Sequence, residues 1–146
     1  MRKNDLFKSG ESIIRVLATD ENRVFYINCK KPQMPKWEEK LAFENFEPCG
    51  EDELFNGMPR EMDELPPESK KIAYQRYTII SGILPFILDD AMRNKAINVS
   101  AEVYKISQKT IRRYLCLYLA YQTITALAPK LKEKKRELTK DEKCMR

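Results

Sequence analysis

The sequence has no histidine, which excludes His-containing zinc sites and any mechanism that requires an imidazole base. Its four cysteines, Cys29, Cys49, Cys116 and Cys144, are separated by 20, 67 and 28 residues. No CxxC pair exists, so zinc-knuckle and thioredoxin-type redox motifs are also excluded. The opening residues, MRKNDLFKSGES, lack the apolar stretch of a signal peptide, and no apolar run approaches the roughly 18 residues needed to span a membrane. These absences predict a protein of the reducing cytoplasm with free thiols and no membrane partner; the carboxylates of 51–64, in a Pro/Gly-rich setting, read as a solvated acidic linker and not as a metal or catalytic centre. No internal repeat is visible.

What remains is a chain of 146 residues, enough for one ordinary domain or two very small ones. Its net charge of +5 is unevenly distributed. Residues 1–69 hold 10 basic and 15 acidic side chains, a net of −5, whereas residues 70–146 hold 17 and 7, a net of +10. Leaving out the charged stretch 130–146, with 8 basic and 4 acidic residues, residues 70–129 still carry +6. A basic half of this size points toward a polyanionic partner.

The first fifty residues read as short strands. Ser12–Ala18 and Arg23–Cys29 are β-branched and apolar, and the polar segment Thr19–Asn22 between them suits a hairpin turn. A shorter strand is expected at Asp5-Leu6-Phe7, before a turn at Ser9-Gly10. A lone hairpin is marginal in water, so Trp37, Phe43 and Phe46 are expected to return over it as core and close a small SH3-like barrel. Pro48, Gly50, Asn56-Gly57, Pro59 and Pro66-Pro67, interspersed with acidic residues, read as a linker. The resulting architecture is α+β: a small β-barrel-like domain at 1–47, an acidic linker at 48–67, an all-α domain at 68–129 and a basic tail at 130–146.

From Glu68 the apolar period is helical. One stripe comprises Ala73, Tyr77, Ile80 and Leu84, and a second Met92, Ala96, Val99 and Val103, with Asp89 or Asp90 as its cap. Gly82 and Pro85 separate the two. A third helix opens at Ser107 and carries Ile111, Tyr114, Leu115, Tyr118 and Leu119, with Pro129 limiting its length.

The junction of the last two helices has the pattern of a helix-turn-helix. Ala101 is small where the helices cross, Ile106 plugs the turn, and Ser107 caps the next helix for about 1 kcal/mol. Ile111 and Leu115 anchor that helix and fix its outward face. At about 100° per residue, Lys109, Arg113 and Cys116 fall opposite this anchor, with Arg112 and Thr110 on its flanks. Recognition helices read bases mainly near their N-termini, which makes Gln108, Lys109, Thr110, Arg112 and Arg113 the candidate DNA-binding residues. Gln pairs bidentately with adenine and Arg with guanine. Arg93, Lys95, Lys105, Lys130 and Lys132 are candidate phosphate contacts. No acidic residue lies between Lys105 and Gln122, whereas an ion-pairing face would interleave the two signs.

Arg76-Tyr77 through Ile83-Leu84-Pro85-Phe86-Ile87, followed by Ile106–Leu115, resembles the N-terminal region of TnsB-like transposases, which belong with Mu-type transposases and retroviral integrases. The resemblance extends to Asp5-Leu6-Phe7, the strands at Ile13–Leu17 and Val24–Asn28, Cys29, Met34-Pro35-Lys36-Trp37 and Ala126-Leu127-Ala128-Pro129, and is weakest over 48–67. It implies a chain that binds transposon-end DNA in a bacterial cytoplasm, with other transposase protomers and an ATPase regulator as further partners. The family's RNase H-like domain, with three carboxylates that hold divalent metal, comes after such a region and has no counterpart in these residues. The chain itself is therefore expected to be non-enzymatic and to need no cofactor. The alternative is a helix-turn-helix transcriptional regulator whose β domain contacts a partner.

Overall fold

The computed structural model describes residues 1–31 and 33–129. The expected tail at 130–146, with Lys130, Lys132 and Cys144, lies outside the described residues.

Five antiparallel strands form one sheet: β1 (Leu6–Ser9), β2 (Ser12–Thr19), β3 (Arg23–Asn28), β4 (Lys36–Glu39) and β5 (Glu47–Cys49), in the order β4-β3-β2-β1-β5. Local chemistry makes its turns. Gly10 takes φ +59° between β1 and β2, a conformation glycine adopts without strain. Between β2 and β3, the Asp20 carboxylate accepts hydrogen bonds from the backbone N–H groups of Asn22 (3.1 Å) and Arg23 (2.7 Å). The hairpin and the early strand thus fall where the alternation of the sequence puts them. A bulge between Val16 and Ala18 lets the consecutive residues Leu17 and Ala18 both pack toward the helices.

The two faces of the sheet have different covers. On one face Ile14, Val24 and Tyr26 meet Phe43 and Phe46, delivered by a 3-10 turn at Lys40–Phe43 as the chain crosses from β4 to the far edge. The Tyr26–Phe43 and Phe43–Phe46 ring centroids are 4.8 and 5.1 Å apart, edge to face. Trp37 belongs to the opposite face, where it packs on Phe25 at 5.3 Å and contributes to the core shared with the helices. The expected closed barrel is not formed: β4 and β5 are the two edges and do not pair. Alternation along β4 turns Trp37 away from Phe43 and Phe46, and the helical layer covers the face that a closed barrel would fold around.

The segment 48–67 is not a linker. Pro48 and Cys49 belong to β5 and pair with Phe7 and Leu6; proline is tolerated there because β5 is an edge strand. Helix α1 (Glu51–Phe55) follows, and its Leu54 and Phe55 are buried against Leu6 and Ile13. Leu65 is buried as well. The turn-forming residues bend the chain along the core instead of releasing it.

Helices α2 (Pro67–Ser81), α3 (Asp90–Tyr104) and α4 (Gln108–Tyr121) complete the fold, with 3-10 turns at Leu84–Phe86 and Ile124–Leu127. Asp89 caps α3 by accepting from the Met92 N–H at 3.0 Å. Ala73, Ile80, Ile83, Ile97, Ile111, Leu115, Leu119 and Leu127 form a core continuous with Leu17, Phe25 and Ile27 of the sheet. Helix α3 sits in a different rotation from the one its apolar stripe suggests. Arg93, Ile97 and Ser100 face inward, while Met92 (43%), Val99 (53%) and Val103 (64%) are exposed. Arg93 can lie inward because its guanidinium donates to the Ile87 carbonyl at 2.7 Å and pairs with Asp90 at 2.7 Å.

A buried cation ties the sheet to α4. Arg15, only 1% exposed, donates from Nε to the Ala120 carbonyl (2.6 Å), from Nη1 to the Asn4 carbonyl (2.9 Å) and from Nη2 to Glu51 (2.6 Å to Oε1). Ala120 is among the last four residues of α4, whose carbonyls have no partner within the helix. Arg15 satisfies one of them and sets a positive charge against the negative end of the helix dipole. Gln122, at φ +56°, satisfies two more through its backbone N–H to Tyr118 (2.7 Å) and its side-chain amide to Leu119 (2.8 Å).

Candidate nucleic-acid interface

Three residues join α3 to α4. Lys105 adopts the left-handed conformation, φ +56°, and its N–H reaches back to the Ala101 carbonyl, as does that of Ile106. Ile106 then packs on the core, and Ser107 turns the chain into α4. The Ser107 hydroxyl accepts from the Thr110 N–H at 3.1 Å and donates to the Thr110 hydroxyl at 2.9 Å. Ile111 and Leu115 are fully buried, which fixes the rotation of α4 about its axis.

With that rotation set, Gln108, Lys109 and Arg113 are exposed, and Thr110 and Arg112 are half-buried. Arg112 donates to the Gln108 side-chain carbonyl at 3.3 Å, one turn back, so it also orients the amide. Arg113 lies 5.7 Å from the Tyr114 ring and Arg76, from α2, lies 4.9 Å from it. Arg76 also donates to the Leu127 carbonyl at 2.9 Å. It adds a cation that sequence reasoning did not assign to the site, although Arg76-Tyr77 opens the stretch that carries the resemblance.

Among the described residues, none of Lys105, Lys109, Arg112 and Arg113 forms an ion pair with a carboxylate. Their charge adds to the positive end of the α4 dipole and its free N–H groups, an arrangement that favours an anion at this end of the helix. Four basic side chains around one helix start, with no acid on the helix, can neutralise several phosphates at once.

Two of the expected positions are corrected. Cys116 does not face solvent: its thiol contacts the Gln33 carbonyl at 3.3 Å and Met34 Sδ at 3.6 Å. The β3–β4 loop therefore covers this side of α4 from Cys116 onward, leaving the first turns open. The wheel gave the angle correctly but could not show which elements pack there. Arg93 is not a phosphate contact, since its inward guanidinium is held by Ile87 and Asp90. Lys95 and Lys105 are exposed on α3 and at the turn, while Lys130 and Lys132 lie outside the described residues.

Burial disfavours the thiolate form of the three described thiols, Cys29, Cys49 and Cys116. Burial pushes Cys29 up to about 12 and Cys116 to about 11, and raises Cys49 as well. No group of His, Cys, Asp and Glu suited to a metal ion occurs among the described residues. No helix among them is long and apolar enough to cross a membrane. No family model matches the chain, and no curated protein does.

Proposed function

We propose that this chain binds double-stranded DNA by inserting the first turns of α4 into the major groove. The observation that carries this reading is the acid-free N-terminal end of α4, where Gln108, Lys109 and Arg113 stand exposed above a buried Ile111–Leu115 anchor. Helices α3 and α4, with the Lys105–Ser107 turn, act as a helix-turn-helix. Gln108, steadied by Arg112, is suited to an adenine edge; Arg113 is suited to guanine or phosphate; Lys109 and Lys105 are suited to phosphate. The sheet reads as an open SH3-like unit, supported by its strand order and by the 3-10 turn between β4 and β5. The resemblance to TnsB-like transposases narrows the target to transposon ends. In that setting the chain serves recognition, and catalysis belongs to a metal-dependent domain outside these residues. Other protomers and an ATPase regulator are then its protein partners.

Fluorescence-anisotropy titration against duplexes recovered from a random-sequence pool tests the reading. With about four phosphates neutralised, the expected slope of log K against log salt is about −3.6. Lys109→Glu with Arg113→Glu should abolish binding without unfolding the protein, since both side chains are exposed. Binding untouched by that double substitution, or no duplex recovered at low salt, would overturn it.

A further inference from the structure

An apolar stripe runs along the exposed side of α3, between polar residues such as Asn94, Lys95, Asn98 and Glu102. Met92, Val99 and Val103 are exposed, with half-buried Ala96 between them. These four residues are spaced by four, three and four, the a/d spacing of a coiled-coil seam. That spacing is unchanged on reversal, so a second α3 laid antiparallel across a two-fold axis sets Met92 against Val103 and Ala96 against Val99, each pair twice. Ala96 at the seam permits a close approach of the two helix axes. Beside the seam stand two exposed charges of opposite sign, Lys95 and Glu102, seven residues apart. Neither is in an ion pair with a described residue. In the antiparallel arrangement each Lys95 falls beside the Glu102 of the other copy, giving two symmetry-related pairs.

We propose that the chain self-associates through α3 as a two-fold antiparallel helix pair, with a second copy of itself as the occupant of this face. The seam matches itself in spacing, and the flanking charges match in sign only when the partner helix is reversed. An isologous contact of this kind closes at two copies. The seam from Met92 to Val103 is only ~16 Å long, so the dimer is weak and forms at micromolar concentration or above. The proposal gives Lys95 a carboxylate partner in place of a phosphate, and it stands apart from the DNA-binding reading.

Sedimentation velocity on the full chain, over a concentration series reaching ~1 mM, is the test. The expected result is a rise from the monomer mass toward twice that mass, abolished by Val99→Asp with unchanged far-UV circular dichroism. Lys95→Glu and Glu102→Lys should each weaken self-association by about tenfold, since each replaces two attractive contacts with two repulsive ones. Mixing the two variants should restore association, because every pair across the heterodimer is again of opposite sign. A protein that stays monomeric throughout overturns the proposal. So does association that persists in Val99→Asp, or that the charge reversals leave unchanged.

Discussion

Replacing Arg15 by methionine removes a buried polar tie between the sheet and α4 while keeping much of the side-chain volume. Three interactions go together: the bond to the Ala120 carbonyl, the bond to the Asn4 carbonyl and the ion pair with Glu51. Losing one member of a buried pair costs about 3–5 kcal/mol. Glu51 is about a third exposed and recovers part of its hydration, which puts the expected loss toward the lower end, about 3 kcal/mol. For a chain of this size that corresponds to a fall in Tm of roughly 10 °C. Urea unfolding followed in parallel by far-UV circular dichroism and by the fluorescence of Trp37 measures it, since Trp37, the only tryptophan, is half-buried against the core shared by sheet and helices. Glu51→Gln alone should cost about 1 kcal/mol or less, because the two carbonyls keep their donor. A loss below about 1 kcal/mol for Arg15→Met would mean that α4 is held by apolar contacts alone and would refute the reasoning.

Other perturbations follow from the junction and the thiols. Lys105→Gly should stabilise the fold by about 1 kcal/mol by relieving the left-handed conformation, while weakening the proposed DNA binding through the lost charge; denaturant midpoints and anisotropy separate the two effects. Ser107→Ala should cost about 1 kcal/mol through loss of the cap to Thr110, read from the same midpoints. Cys29 keeps its proton in the fold up to about 12, whereas the unfolded chain releases it near 9, so its contribution to stability should be level below pH 9 and fall as the pH rises from there toward 12. Cys29→Ala should lessen the alkaline decline, with Cys116 still contributing up to about 11, and an unchanged pH profile would count against burial of Cys29 as a cause. At neutral pH the buried Cys116 should react with a thiol reagent only as fast as the protein opens, which a labelling time course checks.

Features that depend on a few neighbouring residues were legible in the sequence. The turn at Asp20, the caps at Asp89 and Ser107 and the Ile111–Leu115 anchor each need only a short stretch of chain, and each occurs where its pattern lies. Features that depend on what packs from elsewhere were not. The prolines and glycines of 48–67 mark bends equally well on a core and in a linker, and only the pairing of β5 with β1 distinguishes the cases. The apolar stripe of α3 has the right period, but Arg93 could turn inward once Ile87 and Asp90 supplied its partners, and the stripe was left outside. Along α4 the wheel gave a correct outward face for Lys109 and Arg113. At Cys116 the angle was right as well, but a loop 82 residues distant in sequence supplies a cover that the wheel could not show. Arg15 reads as one charge on a half-buried strand, and nothing near it reveals that its acceptor lies 105 residues on.

That distance has a consequence for how such a protein can be inherited or engineered. Residues 68–129 look like a portable cassette, a helical reader that could be moved onto another scaffold. Their last long helix, however, has a carbonyl satisfied by a strand near the other end of the chain, and their core is completed by Leu17, Phe25 and Ile27. A graft of the helices alone would expose that apolar surface and uncap α4 below its basic end. The smallest transferable piece is therefore the sheet and helices together, and a recombination breakpoint in 48–67 would break one folding unit in two.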